Sequence, residues 1–101
     1  MQEIRREWHE EDGQGFEVFA TDITDHNILE VAAGSTGPAE EKWDIKTYIR
    51  IRDNGGTNMK VIPGRDGVEL KLQGWAELNT LIRGLKFITK ALEDARDQKY
   101  E

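Results

Sequence analysis

The C-terminal third of the chain carries one uninterrupted helical pattern. Between Gly74 and about Arg96, apolar residues recur at intervals of three and four positions, and these are Leu78, Leu81, Leu85, Ile88, Leu92 and Ala95. This spacing is typical of an amphipathic helix that packs one face on a core. The sequence therefore predicts one long C-terminal helix over about residues 74–96.

The apolar surface of this helix is wider than one contact needs. Further non-polar residues extend it on both flanks: Trp75 and Ile82 on one, and Thr80, Gly84, Phe87 and Ala91 on the other. At ~100° per residue they cover roughly 220° of the wheel, whereas a helix on a sheet needs about 100°. We expect the second flank, from Thr80 to Ala91, to form the seam of a homodimer or higher homo-oligomer. The alternative is that an N-terminal segment of the same chain, around Trp8, covers Phe87.

Before the helix, the apolar period changes to the two-residue alternation of β-strands. Strands are predicted over residues 16–20, 28–33, 46–52, 58–62 and 68–72, with a less regular edge strand over residues 3–9. The Asn-Gly pair after the third run predicts a tight hairpin to the fourth, and the Pro-Gly-Arg-Asp-Gly stretch predicts another turn. In the last strand, Val68, Leu70 and Leu72 are expected to face the core.

These patterns predict an α+β fold, an antiparallel sheet of five or six strands followed by one long C-terminal helix packed on one face. The strands fall within residues 2–72, and 101 residues is the length of one domain, here 1–101. The chain has no cysteine, no apolar run long enough to span a membrane, and a charged N-terminus unlike a signal peptide. We therefore expect a cytoplasmic protein without disulfides or membrane contact.

The formal net charge of −6 hides an asymmetry along the chain. Residues 1–41 hold two basic and eleven acidic side chains, whereas residues 42–71 hold seven basic and four acidic ones. The sheet face away from the helix is expected to carry much of this basic charge, and to be exposed or shared with a partner. Its predicted residues are Tyr48, Arg50, Arg52, Asn58, Lys60 and Lys71.

This face is the best candidate for a binding site. Lys60 is expected to lie across the Asn-Gly hairpin from the two arginines, Arg50 and Arg52, and all three would hold phosphates. Tyr48 or Trp43 would stack on a base, Asn58 would read a polar edge, and Arg65 lies in the next turn. The alternative is a solvated face whose cations pair with carboxylates on neighbouring strands, namely Glu17, Glu30 and Glu69.

Catalytic constellations are weak in this sequence. His9 and His26 lie in charged or polar surroundings without partners at metal-ligand spacing, and Ser35 has no nucleophile elbow. Asp22 and Asp25 fit a polar turn better than a cation loop. We expect no catalytic residues, no metal site and no cofactor, and therefore a non-enzymatic protein.

Part of the chain resembles a family of DNA-binding proteins. The stretch PGRDGVELKLQGWAEL, residues 63–78, is similar to the G-R-x-G-(I/V)-x-L…W signature of the transcriptional positive cofactor family. That family pairs a curved sheet with a C-terminal helix and binds single-stranded DNA. The resemblance, over residues 47–92, implies DNA contacts from Arg50, Arg52, Lys60 and Arg65. The acidic charge and the short loop before Pro63 depart from the family's pattern.

The whole layout is also similar to small counter-defence proteins of phages and mobile elements, notably the Thoeris anti-defence sponge family. The similar stretches are DITDHNILEVAAGSTG, TYIRIRDNGGTNMKV and ELNTLIRGLKFITKAL. This resemblance implies an oligomer in the bacterial host cytoplasm that sequesters a small phosphate-bearing cyclic nucleotide immune signal. A third hypothesis is an acidic anti-CRISPR-like inhibitor, in which Glu10, Glu11 and Asp12 help the N-terminal third mimic nucleic acid.

Overall fold

In the part of the chain that the structure describes, six antiparallel strands precede one helix. The computed structural model describes residues 3–39 and 44–97. Its elements are β1 (Ile4–Glu11), β2 (Gln14–Thr24), β3 (Ile28–Ser35), β4 (Thr47–Gly55), β5 (Met59–Pro63), β6 (Val68–Leu72) and α1 (Trp75–Asp97). Strands β1 to β4 form one sheet in chain order, and β5 and β6 form a separate two-stranded sheet. With α1 packed on one sheet face, the predicted α+β fold is confirmed. We call β1–β4 with α1 the body, and β5–β6 the arm.

The core of the body lies between α1 and the two central strands. Leu29 and Val31 of β3 are fully buried and pack with Ile23 of β2 and Ile88 of α1. Gly84 lets the helix come close to the sheet, because a Cβ there would lie 2.8 Å from Val31 Cγ1. The helix therefore crosses the centre of the sheet and leaves the helix-side surfaces of both edge strands less covered.

The N-terminal edge strand is confirmed and is longer than predicted. It pairs with β2 from Ile4 opposite Thr21 to Glu11 opposite Gln14. The two residues between the strands, Asp12 and Gly13, have φ values of 53° and 76°, as a two-residue hairpin turn with both φ angles positive requires. Asp-Gly is a strong signal for that turn, but the predicted edge strand ended before it, at residue 9.

The predicted Asn-Gly hairpin between β4 and β5 is wrong. Among the described strands, β4 pairs with β3 alone, and β5 pairs with β6 alone. After β4 the chain turns away, because the Asp53 carboxylate accepts the N–H groups of Gly55 and Thr57. The Thr57 hydroxyl then donates to the Ile28 carbonyl and accepts from the buried Asn27 amide. These bonds hold the root of the arm against the β2–β3 turn.

The last strand keeps its predicted alternation but not its predicted environment. The tight turn over residues 64–67 is confirmed, with Gly64 N–H donating to the Gly67 carbonyl. However, Val61 and Val68 are 52% and 63% exposed. The arm barely touches the body, apart from Met59 against the core and the Asn58 N–H, which donates to the Glu77 carboxylate. The expectation that β6 faces the core is therefore wrong.

The helix flank predicted as an oligomer seam divides into two parts. Thr80 and Gly84 are buried within the chain itself, Thr80 accepting a hydrogen bond from Asn27 and Gly84 lying against Val31. They are therefore not available to a second copy. Phe87 and Ala91 line an open cleft of about 480 Å³ with β1 and β2 residues such as Ile4. The N-terminal strand thus lies beside Phe87, but with Ile4 in the cleft, whereas Trp8, the residue named in the alternative, is 65% exposed and does not line it.

Candidate functional site

The structure divides the predicted ligand residues among three places. Tyr48, Arg50 and Arg52 of β4 lie on the sheet face away from α1. Asn58 and Lys60 lie at the root of the arm and Arg65 at its tip. Lys60 is not opposite the arginines, because its strand belongs to the other sheet. Trp43 lies outside the described residues.

The open face of the body has a floor of small residues, Val18, Ala20, Ala32 and Gly34, which stand opposite one another in the β2–β3 register. Ala20 and Ala32 are fully buried although no helix covers them. Longer side chains on β1 and β4 lie over them, since Arg5 pairs with Ala20 and Arg50 with Ala32 across the strands.

These long side chains form one ion-pair network. Arg50 donates four hydrogen bonds of 2.9–3.1 Å, one to Glu30, two to the Glu7 carboxylate and one to the Tyr48 hydroxyl. Glu30 also accepts from Arg5 at 2.9 Å and from Arg52 at 3.2 Å. Its side chain is only 4% exposed. One buried carboxylate therefore joins three arginines from both edges of the sheet.

The network holds its carboxylates in the charged state. Burial alone would raise the pKa of Glu30, but hydrogen bonds and charges from Arg50 and Arg52 outweigh it, so the pKa lies below its usual value. The hydrogen bond from Arg50 likewise lowers the pKa of Glu7. In turn, the bond to Glu7 raises the pKa of Arg50. Each charge thus stabilises its opposite.

This pairing leaves little positive potential for an incoming anion. Arg5, Arg50 and Arg52 face three carboxylates, those of Glu7, Asp22 and Glu30. Of the five N–H donors of a guanidinium, Arg50 already uses four. The open face therefore matches the alternative of a salt-bridged sheet, with Glu30 as the central acid. Of the other two acids named for that pairing, Glu17 pairs with Arg6 on the helix side and Glu69 lies in the arm.

An aromatic cluster closes one end of the open face. The His9 ring lies 4.5 Å from that of Tyr48 and meets Phe16 edge-on at 5.3 Å, both measured between centroids. His9 is half-buried rather than a solvated surface histidine. The register of the Asp-Gly hairpin, which pairs His9 with Phe16, could have revealed this position.

The arm carries a second basic site of different character. Lys60 stands directly opposite Lys71, and the Asn58 and Gln73 side chains flank this pair in an open cleft of about 340 Å³. Within residues 3–39 and 44–97, no carboxylate forms an ion pair with either lysine. If the strands on both sides of the turn at residues 64–67 are paired residue by residue, Lys60 falls opposite Lys71. The sequence therefore already indicated Lys71 as a site residue.

In the part of the chain that the structure describes, no group of three His, Asp or Glu residues could hold a metal ion. The helix in that part is also not apolar enough to cross a membrane. No protein-family model, curated protein or solved structure matches the chain.

Proposed function

We propose that the protein is a non-catalytic binding protein that sequesters a small phosphate-bearing nucleotide, and that the arm holds the phosphate. The observation that carries this proposal is the lysine pair of the arm, Lys60 opposite Lys71, which has no ion-pair partner among the described residues. Directly opposed like charges destabilise a strand pair. An anion between them removes that repulsion, so binding and arm stability favour each other.

The groups around the lysines fit a nucleotide better than a bare anion. Asn58 and Gln73 offer amide donors and acceptors beside the two ammonium groups. These amides can bond the edge of a base or a sugar hydroxyl while the lysines neutralise phosphate. Asn58 and Lys60 keep the roles predicted for them from the sequence, and Lys71 takes the place that the sequence analysis gave to Arg50.

The open face of the body, on the side of the sheet away from α1, has a smaller role in this proposal. Arg52 is the most exposed arginine of its network, and it is bonded to Glu30. An anion there competes with a carboxylate 2.7 Å from the guanidinium. A function in counter-defence against bacterial immunity is a prediction from the resemblance of the layout, and the same ligand test bears on it.

Isothermal titration calorimetry with linear and cyclic nucleotides, followed by native mass spectrometry, tests the proposal. We expect one member of the panel to bind, and K60Q/K71Q to weaken it at least tenfold. K60R/K71R, which keeps both charges, should retain most of the affinity. R52Q is the matched control on the body, and it should change affinity less than twofold. Loss of binding in R52Q with retention in K60Q/K71Q would move the site to the open face.

A short oligonucleotide in the same panel tests the single-stranded DNA hypothesis. For a single strand that binds through many phosphates, the logarithm of the binding constant falls with the logarithm of the salt concentration, with a slope of about −0.7 per neutralised phosphate. For a small nucleotide held by two lysines, the magnitude of this slope should be two or less. Uptake of the oligonucleotide alone, with a steep salt dependence, would contradict sequestration of a small nucleotide. A protein that takes up neither ligand would contradict both, and would favour a protein target of the acidic N-terminal third.

A further inference from the structure

The chain has more surface than a compact protein of its mass. Its accessible area is 7201 Å², whereas a folded monomer of 11.6 kDa is expected to have about 5,800 Å². The excess of about 1,400 Å² is larger than the roughly 800 Å² that each partner contributes to a standard protein interface. The surface that such an interface would cover can be located, because several of the large exposed apolar side chains lie in two places, and the others include Ile4 and Trp8 of β1.

The first place is a groove between β4 and α1. Ile49 and Ile51 lie on the helix side of β4, where they pair with Ala33 and Val31 of the core strand. Leu78 and Leu85 are spaced by seven residues and share a flank of α1 with Leu92, which lines a cleft together with β4 residue Thr47. We call Ile49, Ile51, Leu78, Leu85 and Leu92 the β4 groove. Ile49, Leu78 and Leu85 are each about half exposed.

The groove also runs along an unprotected sheet edge. β4 is nine residues long and pairs with β3 on one side only, among the described strands. A long edge strand with exposed apolar residues is a surface that proteins normally cover. Trp75, at the start of α1, is 81% exposed.

The second place is the apolar face of the arm. Val61 stands opposite Leu70, and Pro63 stands opposite Val68, so these four side chains share one face. The lysine pair lies on the other face. A two-stranded hairpin on its own is marginally stable in water, and this one packs on the body only at its root. The arm therefore needs a surface that its own body does not supply.

We infer that two copies of the chain exchange arms, with the apolar face of each arm in the β4 groove of the other copy. Each chain carries one arm and one groove, so a two-fold axis satisfies both contacts at once and closes the assembly. The excess accessible area favours a second copy over an unrelated partner. One exchange covers both exposed apolar surfaces and buries the excess accessible area of each chain. The polar arm face, with Lys60 and Lys71, stays open to solvent in this dimer. The inference is therefore independent of the proposed ligand.

The oligomeric state and two groups of variants test the exchange. We expect a dimer in light scattering and native mass spectrometry. V61E/V68E removes the arm contact, and L78E/L85E removes the groove contact, so each should be monomeric alone. I4E is the matched control, since Ile4 is 56% exposed on the opposite edge strand, and it should stay dimeric. A monomeric wild type, a dimer that survives V61E/V68E, or a dimer lost in I4E would each overturn the inference.

Mixing the two broken variants distinguishes exchange from a simple stack of like surfaces. L78E/L85E keeps an intact arm, and V61E/V68E keeps an intact groove. The mixture should therefore form heterodimers with one of the two contacts, at a weaker affinity than the wild type. Two variants that stay monomeric when mixed, each with a native circular dichroism spectrum, would contradict reciprocal exchange.

Thiol protection gives a measurement that does not depend on charged substitutions. The chain has no cysteine, so V61C and I4C each introduce one reactive thiol. The alkylation rate of V61C should fall at least tenfold as the concentration rises through the dimer range, while that of I4C stays constant. Equal behaviour of the two thiols would overturn the assignment of the arm to the interface.

Discussion

The body and the arm use similar residues in opposite arrangements. In the body, three arginines converge on Glu30, and the apolar residues of β3 are fully buried. In the arm, two lysines face each other and form no ion pair among the described residues, and the valines on the other face are more than half exposed. Both regions contain antiparallel strands in which apolar and charged residues alternate.

The difference separates what stabilises the chain from what it offers to other molecules. A cation that already faces buried carboxylates contributes to the fold, and displacing its partner leaves an uncompensated charge. A cation without a partner loses little when an anion arrives. The same distinction holds for apolar surface, because only the exposed part can gain from a new contact. Both comparisons favour the arm and the groove as the binding surfaces that we propose.

The largest expected difference is in local stability. Amide hydrogen exchange should show the amides of β2 and β3 opening only with global unfolding, and those of β5 and β6 opening locally. With a stability of about 5 kcal/mol for a small domain, the protection factors should differ by about a thousandfold at concentrations below dimerisation. Equal protection in the dilute protein would contradict the view of the arm as an independent hairpin.

Truncation of one core residue and one arm residue tests the comparison by mutation. Leu29 is fully buried, so L29A should lower the free energy of unfolding by about 2–5 kcal/mol. V61A should lower it by less than about 0.5 kcal/mol, as for a surface substitution. Urea unfolding at a concentration where the chain is monomeric measures both. A V61A effect of the size of L29A would show that the arm packs on its own body.

The body and the arm also differ in how well their structures could be predicted from the sequence. The helix and the alternation of the strands followed from local apolar periods, and both are present. Strand pairing depends on hydrogen bonds between distant residues. The Asn-Gly signal at the end of β4 did not produce a hairpin, because the Asp53 carboxylate and the Asn27–Thr57 bond direct the chain away from β4. Turn propensity alone carries no information about these contacts.

The candidate site shows the same limit. The sequence placed Tyr48, Arg50 and Arg52 on one face, as the register of β4 has them. It could not show that Glu7, 43 residues away in β1, would accept hydrogen bonds from Arg50. By contrast, Lys60 opposite Lys71 depends only on a local turn. That pairing could have been predicted if the hairpin had been read in isolation from β4.

Removing the central acid of the body should cost less than truncating the core. E30Q leaves three guanidinium groups around a neutral amide, and loss of one partner from a buried pair costs about 3–5 kcal/mol. Since Arg52 is partly exposed and can turn to solvent, we expect about 2–3 kcal/mol, or a melting temperature lower by about 10–20 °C. E69Q, the matched change in the arm, should be nearly neutral. Equal effects would mean that the network does not stabilise the body.

The smallest expected effect is the dependence of body stability on pH. The pKa values of Glu7 and Glu30 lie below the ordinary 4.5 in the folded chain, so the folded state binds fewer protons than the unfolded state. Their stabilisation is complete above pH 4.5 and is lost as the pH falls through the lowered values. Urea unfolding between pH 7 and pH 3 should show this decline, and E7Q/E30Q should show a shallower one. Asp25 and Asp53, whose pKa values are also lowered by hydrogen bonds outside the network, account for the slope that remains. A variant that loses stability as steeply as the wild type would place the acid sensitivity in those two aspartates, and would leave the network without the charge coupling that its geometry implies.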